Sequence, residues 1–600
     1  MKNKVTCEVQ IASKIVSGVL NVELNQSLDD AHSFSIYLKQ SVFLKDQPYD
    51  FLNKSISDQF LSQEVFISFM HDTGDEVSFK GIVTRVVMQT SKDLDHYVLF
   101  EGEGMPVFLD GPRTRRTFVD KTLKEIVDQV KSKSNLPVSM EVSPVFGEKI
   151  PFVMQYDESI FQFLRRLAYD FGEWFYYDGN TIFFGKRDTP DESAQYTING
   201  DQVASREAAM FAVGTDTWNY CDAENKMLAS NKPTEDAIFQ DAGKSAVTSA
   251  DNIYSANHFS PNRPALMDLS NQSDVDNMAE NYSQQHTIYL DSVSGQMFLP
   301  GLYPTAEVKI NLHYPPQTRD SKEDIRQDVG DFMVTSVRHQ YESNGDYRAM
   351  FRAVSANLKV QPFSTEPPKP RVNNELAVVE DNQDENGSGR IKCAFLWSDF
   401  AKEDCKTNWV RLMSPYTAKG DGFIWLPEKE AQVMIGFYQG STYRPYIIGS
   451  LYHGKHESEI GHSPDDNYQK QFLTAAGNQV LFDDTKGKES VLITNINKKD
   501  DFFKISFDDD KITLNCQGDI DIMAKQNINM EADNISIKAA SKLNISAGQE
   551  AELSTSNLKV SADTKADITS GGSMKINSSA PAEVSSGAVL TIKGSMVKIN

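Results

Sequence analysis

The sequence predicts a mainly β, multi-domain protein that carries a repetitive needle at residues 506–600. Three observations support this fold class. An apolar–polar–apolar triplet recurs twelve times between Ile512 and Ile599. Short segments of alternating apolar and polar residues, separated by turn residues, fill much of the remaining chain. A stretch with four prolines at 361–370 divides these segments into two groups, and such a stretch predicts a stiff, extended linker.

The triplets follow one another at a spacing of eight residues, with three steps of seven. This period is typical of a solenoid in which stacked units share one core. Each triplet predicts a short half-buried strand, because a polar residue lies between two apolar ones. The twelve central residues are Thr513, Asp521, Asn529, Ser536, Asn544, Glu552, Lys559, Asp567, Lys575, Glu583, Thr591 and Lys598. No aromatic residue, His or Arg follows Phe507, so the core can fill only a narrow prism.

The length of the needle depends on how many chains build it. Stacked strands rise about 4.8 Å per layer, so a single chain with three units per layer would give a stub of roughly 20 Å. If three chains intertwine, each unit adds one layer and the needle reaches roughly 60 Å. Each strand offers only two inward residues, which favours a triple-stranded β-helix or prism formed by a homotrimer. A monomeric β-helix, as in some carbohydrate-acting enzymes, is the alternative.

Charge and cysteine content narrow the classes of partner and compartment. The formal net charge of −24 disfavours nucleic acid and anionic membrane surfaces as binding partners, because both require basic patches. No apolar run is long enough to predict a membrane helix, and the first residues lack the apolar core of a secretory signal. The five cysteines are scattered, with no C-x-x-C, as expected for reduced thiols. We therefore expect folding in the cytoplasm and any secretion to occur without a signal peptide.

Residues 1–105 predict a small barrel or strongly curved sheet. Alternation at Val16–Leu24, Glu64–Phe69 and Phe79–Val87 indicates strands, and Asp72–Asp75 is a turn signal.

A basic cluster and a helix follow this region. The cluster contains Arg113, Arg115 and Arg116, and the helix has apolar residues at helical spacing from Leu123, with Asp120 as the expected N-cap. The cluster admits a phosphate-binding interpretation, but in so acidic a chain an interface or a solvated turn is favoured.

The stretch Gln155–Lys186 predicts a helix followed by a hairpin. Ser159 is the expected N-cap, Gly172 ends the helix, and the strands Trp174–Tyr177 and Thr181–Gly185 flank a turn. Further on, a helix is expected at 273–285 and strands at 306–312, 331–336 and 347–354, while the polar segment 229–265 is an expected insertion or loop.

Residues 371–455 predict an OB-type barrel of five or six short strands. The expected strands are Ala377–Glu380, Arg390–Trp397, Trp409–Met413, Val433–Tyr438 and Arg444–Leu451. The acidic residues around 381–404 argue against the nucleic-acid binding that is common among OB barrels.

No catalytic or metal-binding constellation stands out. His453, His456 and His462 lie close in sequence, but a solvated turn explains them better than a metal site. Asp508–Asp510 lacks the Gly and Glu of a calcium loop, and no hydrolase or nucleotide-binding motif is present. We expect no enzyme activity, no metal and no cofactor.

Two stretches resemble the VgrG spike proteins of type VI secretion systems, which are cousins of contractile phage hub and spike proteins. The first is the QY-ESxxxFLxRLxxxxGxWFxYDG pattern at Gln155–Gly179, preceded by Arg116–Phe118. The second is the series GRIKCAFLW, WVRLMSP, GFIWLPE, VMIGF and RPYIIGSLY within 389–452. The resemblance covers nearly the whole chain. It implies a hub with two tube-type barrels at 1–360, a linker at 361–370, an OB-fold spike base at 371–455, a connector at 456–505 and a β-helical needle at 506–600.

The resemblance also implies a structural role in a contractile injection machine. The trimeric hub would cap an Hcp-type hexameric tube within a baseplate, and sheath contraction would drive the spike transiently through a target membrane to deliver effectors. Assembly would take place in the bacterial cytoplasm. A PAAR-type tip protein would bind at Met596, Val597, Lys598, Ile599 and Asn600. A phage tail or an extracellular contractile particle is the alternative machine, and a hydrolase hidden in the hub is the alternative class.

Overall fold

The computed structural model describes residues 4–39, 55–90, 96–188, 196–199, 203–208, 217–221, 227–230, 262–264, 272–314, 325–397, 402–453 and 467–599. The chain forms two compact units, Met1–His462 and Ser463–Asn600. No helix in the described ranges is long and apolar enough to cross a membrane. The predicted insertion at 229–265 lies almost entirely outside the described residues.

The first unit contains four described α-helices and twenty-five described strands. The helices are α1 (Ser55–Phe60), α2 (Leu123–Ser132), α3 (Ile160–Phe171) and α4 (Gln272–Thr287). The strands up to residue 185 are β1 (Thr6–Ile11), β2 (Lys14–Ile15), β3 (Val19–Ser27), β4 (Ser33–Lys39), β5 (Glu64–Met70), β6 (Glu76–Thr90), β7 (His96–Gly104), β8 (Thr114–Thr122), β9 (Met140–Ser143), β10 (Lys149–Glu158), β11 (Trp174–Tyr177) and β12 (Ile182–Gly185).

The remaining strands of the first unit continue to residue 451. They are β13 (Tyr196–Asn199), β14 (Val203–Ala208), β15 (Thr217–Cys221), β16 (Met227–Ser230), β17 (Asn262–Pro264), β18 (Asp291–Met297), β19 (Glu307–Tyr314), β20 (Ile325–Glu342), β21 (Tyr347–Ser355), β22 (Glu375–Asp381), β23 (Lys392–Phe395), β24 (Gln432–Phe437) and β25 (Pro445–Leu451).

Strands from both halves of the predicted hub lie in one large sheet. Its order is β14-β18-β21-β20-β3-β4-β7-β6-β5-β1-β2, and β19 joins it through β20 and pairs with β13. The antiparallel pairing of β3 with β20, from Ser27 against Ser336 to Asn21 against Glu342, joins the N-terminal strands to those after residue 290. The inward residues of β3 to β7 alternate with outward ones, which produces the expected period of two.

The α/β elements pack on this sheet through one hydrophobic core. The helices α2 and α3 contribute buried leucine, isoleucine, valine and phenylalanine side chains to the same cluster as the sheet strands. Beside them lies a small sheet in which β12 pairs antiparallel with β11 and parallel with β9. A connection of about forty residues that includes α3 separates β9 from its parallel partner, as a parallel pair requires.

One predicted helix boundary is wrong. The N-cap of α2 is Thr122 rather than Asp120, because β8 continues to Thr122 before the helix begins. The Thr122 hydroxyl accepts from the Glu125 backbone N–H, and the Glu125 carboxylate accepts from the Thr122 N–H, forming a capping box. Asp120 lies instead in the strand, with a left-handed φ of 51°.

The OB region has four strands in the order β23-β22-β24-β25. The expected strand Trp409–Met413 is not a continuous strand. It makes isolated bridges only, from Val410 to Ile391 and from Leu412 to Ile447. This region nevertheless contributes Val410 to a compact core with the four strands.

The second unit begins with a five-stranded antiparallel meander. Its strands are β26 (Gln469–Leu473), β27 (Asn478–Asp483), β28 (Ser490–Asn495), β29 (Lys498–Ser506) and β30 (Lys511–Asn515). The first predicted triplet, Ile512–Leu514, lies in β30. The eleven later triplets form no strand pairing within the chain, and every residue from 517 to 599 is exposed.

Serine side chains mark several corners between the triplets. Ser570, Ser578 and Ser586 each accept a hydrogen bond from the backbone N–H two residues on, at 3.2–3.3 Å. These turns recur at intervals of eight residues, and a serine side chain supports such a turn by substituting for a backbone acceptor. The predicted corners therefore form at these three positions, although the predicted half-burial of the strands does not occur within one chain.

Two histidines are completely buried in the hub. His32 donates to the Ser27 carbonyl at 3.0 Å, while His339 lies between Tyr347 Oη at 2.7 Å and Gln26 Oε1 at 3.1 Å. Burial disfavours the charged imidazolium, so the pKa of His32 falls to about 4 and that of His339 to about 3.

The burial of these two histidines predicts that the folded protein becomes less stable in acid. Both are neutral when folded and protonate near the ordinary pKa of 6.5 when unfolded, so stability falls as pH drops from about 6.5 to about 4. Each histidine contributes a slope of about 1.4 kcal/mol per pH unit in this window. Thermal unfolding of the full-length protein between pH 4 and 8 measures the slope. The variant His339→Gln should show a shallower dependence; an unchanged slope would contradict the assignment.

Candidate functional site

The motif at 155–179 folds into a helix whose two ends are fixed by its sequence. The Ser159 hydroxyl accepts from the Gln162 N–H at 3.1 Å, and the Gln162 side chain accepts from the Ser159 N–H at 3.2 Å. This capping box starts α3. Gly172 ends it with a left-handed φ of 71°, and a Cβ there would lie 2.2 Å from the Asn281 amide nitrogen. The helix start and end are therefore as predicted.

Arg166, in the middle of this motif, is buried with 1% exposure. Its Nε and Nη2 atoms donate to the two carboxylate oxygens of Glu158 at 2.7 and 2.8 Å, and Nη2 also donates to the Met154 carbonyl. The planar guanidinium suits such a bidentate pair.

The same guanidinium reaches the OB region. Its Nη1 donates to Thr442 Oγ1 at 3.0 Å and to Tyr443 Oη at 3.2 Å. The Tyr443 hydroxyl donates in turn to Asp170 at 2.8 Å. Arg166 is thus a charged group that binds hub and barrel elements together, and its carboxylate and hydroxyl partners satisfy the buried charge.

The strand β10 extends this contact along its length. Its residues Phe152, Met154 and Tyr156 pack in the core of the OB strands rather than in the hub core. The Met154 N–H donates to the Thr442 carbonyl at 3.0 Å. The hub and the OB barrel therefore share a hydrophobic core around β10.

The predicted basic cluster also takes part in this junction. Arg115 forms a bidentate pair with Asp157, with both distances 2.8 Å, and donates to Glu375 of β22 at 3.1 Å. Its guanidinium stacks over the Tyr156 ring at 4.5 Å, and the Tyr156 hydroxyl donates to Glu375 at 2.6 Å. Burial and this hydrogen bond raise the pKa of Tyr156 to about 12. Arg115 therefore lies at an interface between the hub and the OB region, which is one of the two alternatives expected for the basic cluster.

The proline-rich segment is packed rather than a free spacer. The Gln361 side chain, fully buried, accepts from the Phe175 N–H at 2.5 Å and donates to the Leu28 carbonyl at 2.6 Å. Phe363 packs edge-on against Tyr169, and Lys369 pairs with Asp170 at 3.3 Å. The sequence predicts a stiff, extended linker here, and in the structure these contacts hold the segment against the hub.

In the second unit, the meander has one apolar face. Paired residues on neighbouring strands point to the same side of a sheet, so the register assigns each side chain to a face. One face carries Lys470, Phe472, Val480, Phe482, Val491, Ile493, Phe503, Ile505, Ile512 and Leu514. Five of these apolar side chains are 39–67% exposed: Phe472, Phe482, Ile493, Ile512 and Leu514. We call these ten residues the apolar face.

The opposite face is mainly polar. It includes Gln471, Asp483, Lys504 and Thr513, together with Ser490, which is the most buried side chain of the meander. A soluble sheet normally buries its apolar face and exposes its polar one. Here the chain alone leaves the apolar face uncovered among the described residues of the second unit.

The exposed triplets continue this pattern. Their apolar side chains are largely solvent-exposed, for example Ile545 at 80%, Ile568 at 81% and Ile576 at 86%. Among the predicted tip-binding residues, Met596, Val597 and Ile599 are 74%, 49% and 89% exposed and Lys598 is also exposed, while Asn600 lies outside the described residues.

The predicted absence of a metal site stays a prediction. Within the described parts of the chain, no group of three or more His, Cys, Asp or Glu side chains could hold a metal ion. His456 and His462 lie outside those parts.

Comparisons with known proteins match both parts of the first unit. The phage tail baseplate hub (GPD) family matches residues 53–345, and the type VI secretion system/phage-baseplate injector OB domain family matches residues 375–452. The spike protein VgrG5 of Pseudomonas aeruginosa is 27% identical over 195 residues, 30% of this chain and 23% of that protein. The actin cross-linking toxin VgrG1 of Vibrio cholerae is 25% identical over 27% of this chain and 17% of that protein.

A chain of the Francisella PdpA–VgrG complex shares the fold. It superposes with a TM-score of 0.53 at 10% identity and covers 86% of this chain and 88% of that one. The chain spans less than a quarter of the length of these two relatives, VgrG5 and VgrG1.

Residues 53–345 are thus similar to phage tail baseplate hubs, and residues 375–452 are similar to the OB domains of type VI secretion and phage-baseplate injectors. Over 24–30% of its length, the chain is also similar to VgrG5 and VgrG4b, two type VI secretion system spike proteins of Pseudomonas aeruginosa. The resemblance seen in the sequence is confirmed.

The burial of the Arg166 guanidinium predicts that replacing this residue lowers the stability of the protein strongly. Arg166→Ala leaves the Glu158 carboxylate buried without its cation and removes one of the two cations beside Asp170, which costs about 3–5 kcal/mol of unfolding free energy. Arg85→Ala is the matched control, since Arg85 pairs with Glu101 at the surface and should cost no more than about 1 kcal/mol. Urea unfolding of both full-length variants, followed by tryptophan fluorescence, measures the difference. Equal losses would argue against the role of Arg166 at the junction.

Proposed function

We propose that this protein acts as the homotrimeric spike and hub of a contractile injection machine. One observation carries the proposal: the apolar face and the triplets that follow it are uncovered in a single chain. Monomeric soluble proteins rarely expose apolar surface on this scale, so a partner must cover it. The continuous pattern from Phe472 to Ile599 favours partners of equal length and the same sequence.

Three identical chains satisfy this requirement. Each triplet has two inward side chains, and three chains around an axis enclose a prism that such small side chains can fill. Strands that find no partner within one chain then pair with strands of the other two. A needle built this way has no open edge along its length, so its backbone hydrogen bonds act together under load.

The first unit supports the rest of the assignment. Its family matches describe a baseplate hub and an injector OB domain, so assembly into a baseplate complex follows from the family. In this proposal the hub sits on an Hcp-type hexameric tube. Sheath contraction drives the tube and spike through a target membrane and delivers effectors. The protein assembles in the bacterial cytoplasm in this proposal.

The protein acts mechanically and has no catalytic role in this proposal. The family consists of structural spike and hub proteins, although a relative carries the name of a toxin. A phage tail or an extracellular contractile particle would use the same fold, and the neighbouring genes would distinguish these machines.

The solution mass of the purified full-length protein tests the trimer. Multi-angle light scattering should give three times the mass of one chain. Leu514→Asp places a charge on the apolar face and should reduce the trimer fraction. Thr513→Asp, one residue away on the polar face, should leave it intact. A monomeric wild-type protein would overturn the proposal and return attention to a single-chain β-helix.

The exposed residues at 596–599, together with Asn600, form the expected binding site for a PAAR-type tip protein. Deleting residues 590–600 removes the last triplet pair while the apolar face stays intact, so the trimer should persist and tip binding should disappear. Pull-down of the tip protein, paired with light scattering of the deletion variant, measures both. Retained tip binding would place the site elsewhere.

A further inference from the structure

The central residues of the triplets change character along the needle. Among the first five, only Asp521 is charged. Among the last seven, six are charged and their signs alternate along the chain: Glu552, Lys559, Asp567, Lys575, Glu583 and, after the neutral Thr591, Lys598. All six are exposed. We call these six residues the charge ladder.

The position of each charge follows from the alternation within its triplet. If the two apolar residues point to the axis of a three-chain prism, the central residue points to solvent on the prism face. The ladder therefore lies on the outside of the needle. The vertical order of its members on a face depends on how the chains wind.

The winding of the three chains determines that order, and this step rests on the proposed trimer. If each chain moves to the next face after every triplet, then triplet n of one chain lies directly below triplet n+1 of a neighbouring chain on the same face. Successive layers are about 4.8 Å apart, so the central side chains of n and n+1 are adjacent cross-strand neighbours. Glu552 then meets Lys559 of a second copy, and Asp567 meets Lys575.

Other arrangements fit the signs less well. A single-chain coil with three triplets per turn would stack n on n+3, which pairs Glu552 with Lys575 and Lys559 with Glu583 but places Lys575 beside Lys598. If the chains ran side by side without winding, each charged side chain would lie next to the same residue of another copy, so that like charges would meet. A slip of one triplet in the wound trimer would bring Glu552 to Asp567 and Lys559 to Lys575.

We infer that the charge ladder sets the register between chains in the needle through ion pairs between successive triplets of neighbouring copies. The apolar residues alone cannot set it, because their triplets are nearly alike and one register buries as well as the next. Exposed ion pairs are individually weak, but the same pairs become repulsive in a slipped register. Asp567 also contacts Lys565 of its own chain at 2.5 Å, and a carboxylate can accept from more than one donor.

Charge reversal in the full-length protein tests the ladder. The variant Lys559→Glu/Lys575→Glu makes five successive ladder positions acidic. Its trimer should melt several degrees below wild type at low salt, with a smaller difference in 1 M NaCl, where charges are screened. Adding Glu552→Lys, Asp567→Lys and Glu583→Lys inverts every ladder sign in this region and should restore the midpoint.

A matched control separates the ladder from net charge. Lys538→Glu/Lys542→Glu makes the same change in charge at residues outside the triplet centres and should shift the midpoint little. An equal shift in this control, or no recovery on inversion, would overturn the inference.

Cross-linking measures the register directly. In Glu552→Cys/Lys559→Cys, oxidation should link neighbouring copies into a covalent trimer on a non-reducing gel, because adjacent layers lie within disulfide reach. Glu552→Cys/Asp567→Cys, two layers apart, should not link. Wild type, oxidised alongside, controls for the native cysteines. A trimer by light scattering without the 552–559 cross-link would reject the ladder alone, whereas a monomer would reject the proposed function as well.

Discussion

The shortness of the apolar triplet is the constraint on which the second unit depends. A strand with two inward side chains buries too little surface to offset the entropy of ordering its backbone. Such strands become stable only in a stack in which every layer contributes to one core. The chain alone leaves the triplets exposed and unpaired, and the apolar face at 470–514 extends the same deficit into a well-formed sheet. One chain therefore lacks the packing partners that the two other copies would supply in the proposed trimer.

The first unit differs from the second, because contacts within one chain hold its hub and OB barrel together. The hub and OB barrel meet across a buried guanidinium, a stacked arginine and a shared core around β10. Buried charges cost desolvation energy, and they are tolerated here because each has several fixed partners. Arg166 and Arg115 use both edges of their guanidinium groups, which a lysine could not do.

Much of this architecture could be predicted from the sequence, because local signals agreed with the global fold. Ser159 and Gly172 fixed the ends of α3, and alternation identified β5 and β6. The pairing of β3 with β20 could not be predicted, since residues more than 300 positions apart carry no local sign of their register. The Asp120 assignment failed because a strand extended two residues further than its pattern suggested.

The contacts between the hub and the OB barrel could be predicted only in part from the sequence. The motif around Arg166 was recognisable as a pattern, but its contacts with Thr442 and Tyr443 depend on tertiary folding. A buried arginine carries no sequence signal that separates it from its neighbour Arg165. The apolar face was missed for a related reason. Its alternation over five short strands was visible, but which residues share a side emerges only from the register between strands.

The packed proline-rich segment has a mechanical consequence. Because Gln361, Phe363 and Lys369 are held by the hub, the segment that connects the hub to the OB barrel can extend little further. A compressive load applied to the OB barrel is therefore transmitted to the hub through the side-chain contacts between them. It does not depend on a flexible linker that would first have to become extended. The stiffness of the first unit is then set by how little its buried contacts can be displaced.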